Sequence, residues 1–246
     1  MPLKELLIML DIKILTAYPE MFPGILEHSL IGKAFKENIF KIETIDLHQF
    51  GIDDRMSIDD EPFGGGPGMV LRPDVVEKAL NSIPKAHNQN SAKIYLTPSG
   101  TPLNQKKLVN LAKLQKMTIL CGRFEGVDQR AIDVLDFEEI SIGDYVLAGG
   151  EIAAQVLLEG CIRLIPGVLG HPKSLLEESF SNNLLEYPQY TRPKCWEDSL
   201  GKKHDVPEIL TSGHHENIKT WRLSKSVEKT KNIRPDLFVK KEKKQD

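Results

Sequence analysis

Glycine turns flanked by carboxylates and hydroxyls are the residues of this chain best suited to hold a ligand. The run Ser141-Ile-Gly-Asp-Tyr-Val-Leu-Ala-Gly-Gly-Glu151 compresses a strand end, a glycine turn and a helix start into one short stretch. A junction of that kind leaves backbone N–H groups open to a bound molecule. Gly149 and Gly150 are expected to adopt conformations closed to other residues and to let a ligand come close, while Glu151 sits where a helix N-terminus favours negative charge. Three more loops share this character: Glu61-Pro-Phe-Gly-Gly-Gly-Pro-Gly-Met69, Thr97-Pro-Ser-Gly100 and Cys121-Gly-Arg-Phe-Glu-Gly126. None fits the phosphate-cradling G-x-x-x-x-G-K-[ST] or the dinucleotide G-x-G-x-x-G pattern. None contains the Lys that a phosphotransferase would poise at its phosphates.

The other chemistries are poorly provided for. Cys121, Cys161 and Cys195 are widely spaced with no C-x-x-C pair, so they are expected to be buried reduced thiols, not a disulfide frame or zinc ligands. His214 and His215 lack the spacing of a metal site and are expected to cap a helix or touch RNA; Trp196 and Trp221 are expected in the core.

The elements that must position the loops follow from periodicity. Ile12 to Leu15, Ile42 to Ile45, Lys93 to Leu96, Thr118 to Cys121 and Glu139 to Ile142 read as strands, and Val75 to Ile83, Asn104 to Leu114 and Val127 to Leu135 as helices. Alternation of this kind predicts an α/β domain on a parallel sheet. Three successive strands end in glycine-containing loops, and ligands of such sheets bind beyond the carboxyl ends of the strands, so the three loops should line one pocket. Ile152 to Leu158 should be a buried helix, a candidate for a subunit contact. A polar stretch, Lys173 to Asn183, reads as a linker. A helix from about His214 to Lys231 should follow, with Ser212 and Gly213 as caps.

The chain has 246 residues with 40% hydrophobic and a net charge of −3, ample for a packed core. No apolar run approaches the roughly 20 residues of a membrane span, and a cytoplasmic location is expected. From Tyr187 onward there are 14 Lys and Arg against 9 Asp and Glu, leaving 18 against 26 before it. The basic end suits a phosphate backbone. On the expected last helix, Lys219, Arg222, Lys225 and Lys229 share one face. A pure RNA-binding regulator would account for that face but not for three converging loops.

Six motifs carry a resemblance: Tyr18-Pro-Glu-Met-Phe22, Phe63-Gly-Gly-Gly-Pro-Gly-Met69, Cys121-Gly-Arg-Phe-Glu-Gly126, Ser141-Ile-Gly-Asp-Tyr-Val-Leu147, Arg163-Leu-Ile-Pro-Gly-Val-Leu-Gly170 and Leu185-Glu-Tyr-Pro-Gln-Tyr-Thr-Arg-Pro193. In this order they resemble the bacterial tRNA (guanine-N1)-methyltransferases of the SPOUT class, over nearly the whole chain. The resemblance implies a homodimer. Residues 1–172 would form a parallel-sheet α/β domain with a deep trefoil knot, 173–186 a flexible linker and 187–246 a small helical tRNA-binding domain. It implies S-adenosylmethionine bent in the knot, held by Tyr95, Leu96, Thr97, Pro98 and Gly100, by Gly122, Phe124 and Glu125, and by Ser141, Ile142, Gly143, Asp144, Tyr145, Val146, Leu147, Gly149 and Gly150. The RNA would meet Gly65, Ser179, Arg192, His215, Lys219, Arg222 and Lys225. The reaction implied is methylation at N1 of the guanosine just 3′ of the anticodon, which maintains reading frame. A related SPOUT enzyme acting on ribose 2′-OH or on rRNA is the alternative.

That reaction dictates its side chains. Guanine N1 carries a proton at neutral pH, so a base within hydrogen-bond reach must remove it, and the charge that spreads to O6 calls for a fixed cation. By resemblance Arg163 is the cation and Glu178 the base; Glu177-Glu178-Ser179-Phe180 stands where the family has Glu-Asp-Ser-Phe, one methylene shorter. Phe124 stands where the family usually has Tyr. Mg²⁺ is a further candidate, as an aid to proton removal.

Overall fold

In a computed structural model the described residues are 10–84, 91–170, 178–180 and 182–239. The chain divides into two compact units, residues 1–170 and 171–246.

The first unit is built on a five-stranded sheet of β1 (Leu10–Thr16), β2 (Phe40–Asp46), β5 (Ser91–Pro102), β6 (Lys116–Cys121) and β7 (Glu138–Ser141), with β3 (Asp59–Asp60) and β4 (Val70–Leu71) forming a small antiparallel pair beside it. The order is β2-β1-β6-β5-β7 and every pairing in it is parallel. Side chains alternate between the two faces of a strand, and here both faces are apolar. Ile12, Ile14, Ile94, Leu96, Met117, Ile119 and Cys121 enter one core; Leu15, Tyr95 and Leu120 enter the other. Helices cover both, as a parallel sheet requires. α1 (Ser29–Lys36), α3 (Gln105–Leu111) and α5 (Gly150–Ile162) supply residues to the first core, α2 (Pro73–Asn81) and α4 (Gln129–Leu135) to the second.

The expected strands and helices are all present, with ends set by local chemistry. Asn104 accepts from Lys107 N at 3.0 Å and Asp128 from Arg130 N at 2.9 Å, capping α3 and α4, and Pro73 opens α2 where its missing N–H costs nothing. Helix α3 stops at Leu111, short of the expected Leu114. Helix α1 was not foreseen. Helix α5 is only partly buried: Ala154, Leu157, Leu158, Cys161 and Ile162 are inside, but Ile152 (49% exposed) and Val156 (46%), one turn apart, face outward.

The second unit contains the hairpin β8 (Cys195–Glu197) and β9 (Lys203–Asp205), the long α6 (His215–Ile233) and the short α7 (Asp236–Val239). Asp198 fixes the hairpin turn by accepting from Leu200 N, Lys202 N and His204 Nε2 at 2.8–3.0 Å. The bond from His204 heads the causes that hold its carboxyl below the usual range. The expected caps of α6 are corrected. The N-cap is His214, without a side-chain bond, and Ser212 Oγ accepts from His214 N outside the helix.

Two sequence expectations fail here. Cys195 is exposed, unlike Cys121 and Cys161, because it lies on a two-stranded ribbon with no layer over it. Trp196, on the same ribbon, is exposed and stacks on His204 with 5.3 Å between ring centroids. Some described residues at the end of the expected linker make hydrogen bonds. Leu185 N donates to Thr230 Oγ1 at 2.8 Å, Lys229 Nζ donates to Glu186 O at 3.2 Å, and Ser179 Oγ accepts from Glu186 N at 3.0 Å. Residues 171–177, Glu177 among them, lie outside the described set.

Candidate active site

Because β6, β5 and β7 are neighbours running the same way, their carboxyl ends deliver three chain segments to one place. The segments enclose a cleft of about 320 Å³, within the range of small-molecule sites. Its lining includes Tyr95, Leu96, Thr97 and Pro98; Gly122, Phe124 and Glu125; and Ser141, Ile142, Gly143, Tyr145, Val146, Leu147, Gly149 and Gly150. Ser99, Arg123, Gly126 and Ala148 of the same runs join them, as do Ile140 and Ala153, which the sequence did not nominate for the site.

Each segment has its own local reason. Residues 97–100 do not form a loop after β5; they bulge out within it, since Leu96 and Thr101 both pair with Ile140. Gly100, the last residue of that bulge, does not line the cleft; it packs on β7, where a Cβ would come 2.5 Å from Ile140 N. Gly143 takes φ 156°, and Ser141 Oγ closes the turn by accepting from Gly143 N at 3.2 Å. Asp144 of this turn is exposed and does not line the cleft. The rim is apolar and exposed at Phe124, Tyr145, Val146 and Leu147. Tyr95 is buried beneath Gly122, and burial pushes its phenol above the usual range, opposed by hydrogen bonds with Thr97 and the Val127 backbone.

Gly149 and Gly150 need correction. Gly149 has φ −178°, which any residue adopts, and Gly150 is not among the positive-φ residues. Both are glycines because of close approach. A Cβ on Gly150 would lie 2.8 Å from Cys121 Cα and 2.9 Å from Gly122 N; one on Gly149 would lie 2.5 Å from Arg123 Nε and 2.6 Å from Glu151 Oε2.

Glu151 lies in the first turn of α5, as expected, and is buried there, bonded by Thr16 Oγ1 at 2.8 Å and Arg123 Nε at 3.1 Å. Arg123 also lies over the Tyr18 ring, 4.2 Å from its centroid. This cluster ties the end of β1, the turn after β6 and the start of α5 together. Thr16 is 135 residues from Glu151 in sequence, so no local pattern announces the contact. The thiol of neighbouring Cys121 is driven well above its usual range by burial and then by the Glu151 charge, which removes it as a nucleophile. Burial alone pushes Cys161 up to about 12.

The first glycine-rich loop lies alongside. Glu125 N donates to Met69 O at 2.9 Å, and a Cβ on Gly68 would meet the Glu125 side chain at 2.5 Å. Gly65 sits in the open part of that loop at φ 77°, and Phe63 beside it is 98% exposed.

The remaining nominated residues are not among the lining of the cleft. Arg163 is the C-cap of α5. With Gly150 at the cleft, Arg163 is about 20 Å away along the helix axis at 1.5 Å per residue, farther than an arginine side chain spans. Glu178 and Ser179 belong to the second unit, as do Arg192, on a cavity described below, and His215, exposed at the first turn of α6. Of the basic face, Lys219 is exposed, Arg222 lies over the Tyr187 ring at 4.7 Å, and Lys225 pairs with Glu228 at 2.7 Å. Among the described residues no three His, Cys, Asp or Glu are grouped to hold a metal, so no residue is assigned to Mg²⁺.

Comparison with known proteins gives one answer. The sequence model of the family described as tRNA (Guanine-1)-methyltransferase TrmD matches residues 10–240. Curated proteins named tRNA (guanine-N(1)-)-methyltransferase are similar throughout. That of Wolbachia pipientis subsp. Culex pipiens is 50% identical over 93% of this chain and 97% of its own; that of Rhodospirillum rubrum is 50% identical over 92% of each. That of Ehrlichia canis is 47% identical over 93% of this chain and 95% of its own.

Proposed function

Because the chain belongs to the tRNA (guanine-1)-methyltransferase family, we propose that it methylates N1 of the guanosine immediately 3′ of the anticodon in tRNA. The observation that carries the reading is the single cleft made by three strand-end segments in a chain matched by the family over residues 10–240. Methyl transfer needs a donor, and the cleft suits S-adenosylmethionine: three glycine-containing segments line it, apolar side chains rim it, and Glu125 offers a carboxylate to hydroxyls or an amine. When bound, that donor supplies a methyl carbon made electrophilic by positively charged sulfur.

The chain's own residues do the rest. Glu178 takes the proton from N1, freeing its lone pair for attack on the methyl carbon, and Arg163 faces the negative charge that spreads to O6. The buried Arg123–Glu151 pair keeps the cleft walls in place before any ligand arrives. Gly65, Ser179, Arg192, His215, Lys219, Arg222 and Lys225 are assigned to the RNA.

The distance along α5 between Gly150 and Arg163 favours a homodimer in which one copy's Arg163 serves the other's cleft. The outward Ile152 and Val156 support it, on a helix that packs against the 24–27 turn carrying exposed Ile25. The knotted topology, the division at residues 172 and 186, and action in the cytoplasm, where tRNA is found, complete the reading. No helix among the described residues is long and apolar enough to cross a membrane.

Mapping the modified nucleoside tests it. Unmodified tRNA incubated with the protein and S-adenosylmethionine should yield 1-methylguanosine next to the anticodon. A ribose-methylated nucleoside, or methylation of rRNA alone, would overturn the proposal.

A further inference from the structure

A second cavity of about 330 Å³ lies wholly within the second unit. Its wall combines two kinds of side chain. Tyr187, Tyr190 and Trp221 supply aromatic surface, with Tyr190 and Trp221 tilted at 58° and 6.3 Å apart. Arg192, Lys194 and Arg222 supply positive charge, and no Asp or Glu belongs to the lining. In a chain of net charge −3, cations gathered in a lining that holds no Asp or Glu mark a place for an anion. Among the described residues neither Arg192 nor Lys194 makes an ion pair. Arg222 is held over the Tyr187 ring, so one cation is already fixed against an aromatic face.

An aromatic face beside clustered cations, in a space of this size, matches one chemical class. A nucleotide presents a π-face for stacking and a phosphate for the cations, and every base has such a face. The volume suits a single unit and not a duplex, whose bases are stacked on one another. We propose that this cavity is a nucleotide-capture site in which one unstacked nucleotide of the RNA substrate stacks on Tyr190 and Trp221 while its phosphate meets Arg192 and Lys194. Its lining shares no residue with that of the cleft assigned to the methyl donor. It rests on the reading that the substrate is tRNA, and it would anchor that tRNA independently of the guanosine being methylated.

The test uses the full-length protein carrying Trp196→Phe, so that Trp221 is the remaining tryptophan. Titration with guanosine and uridine monophosphates should quench its fluorescence saturably, and tRNA should compete. Tyr190→Ala should raise the tRNA Kd about 5- to 150-fold, the factor corresponding to about 1–3 kcal/mol for a base on an aromatic platform. Arg192→Ala with Lys194→Ala, on exposed side chains where folding is not at stake, should abolish mononucleotide quenching and leave the affinity for S-adenosylmethionine unchanged. Absence of saturable quenching, unaltered tRNA affinity in both variants, or mononucleotide binding that tRNA does not displace would each overturn the proposal. The assigned activity is judged separately: wild-type protein that forms no 1-methylguanosine would refute that reading, whereas variants with intact tRNA affinity and methylation would refute only the capture site.

Discussion

Arg123 Nε lies 3.0 Å from Glu151 Oε2, and the glutamate side chain is only 1% exposed. The pair joins the turn after β6 to the first turn of α5, and Thr16 at the end of β1 bonds the same carboxylate. Removing one partner of a buried pair leaves a desolvated charge. Arg123→Ala should therefore lower stability by about 3–5 kcal/mol, read by urea unfolding, with Thr16→Val costing less. A loss below about 1 kcal/mol, the range of exposed pairs, would mean that the pair is not holding the cleft.

Gly150 makes the second prediction. Its Cβ would collide with the backbone of Cys121 and Gly122, so Gly150→Val should displace α5 from the turn and weaken S-adenosylmethionine binding by calorimetry, with the fold retained by circular dichroism. Gly149→Val acts differently, by pushing on the Arg123–Glu151 pair, and should cost stability as well as affinity. An unchanged dissociation constant in both would remove this junction from the site.

How much of this was legible in the sequence depends on range. The five strands of the large sheet and α2 to α6 were, because hydrophobic period is local; the two short pairs β3–β4 and β8–β9 were not, being too brief to show one. The cleft lining was also legible, since strand-end glycines mark it. What escaped was non-local. The reason for glycine at 149 and 150 is a neighbouring segment, not a dihedral angle, and the Thr16–Glu151 bond spans most of the domain. Lys219, Arg222 and Lys225 read as one basic face, yet Arg222 lies on Tyr187 and Lys225 pairs with Glu228. Cys195 and Trp196 read as core by residue type but lie on a ribbon too small to bury them.

The basic face therefore predicts unequal effects. Lys219→Glu should weaken tRNA binding and reduce the slope of log K against log salt by about 0.7–0.9, one phosphate contact. Lys225→Glu should do less, because its charge is shared with Glu228. Identical salt slopes for wild type and Lys219→Glu would make that residue part of a solvated surface.

If the site is completed by a second copy, two defective copies should rescue each other. Arg163→Ala and Gly150→Val proteins should be inactive alone, while dimers mixed from the two should regain methylation at the one site that combines an intact cleft with an intact Arg163. Mixed dimers as inactive as their parents would assign Arg163 to its own chain's cleft or to no cleft.

Glu178 bears the central claim. Single-turnover methylation of unmodified tRNA, with S-adenosylmethionine binding measured alongside, compares wild type with Glu178→Gln, which keeps size and hydrogen bonding but lacks the carboxylate that takes the N1 proton. The account predicts a rate lower by about 10²–10⁴-fold, the usual range for general-base catalysis, at unchanged cofactor affinity. A rate near that of wild type would contradict it and move the base elsewhere.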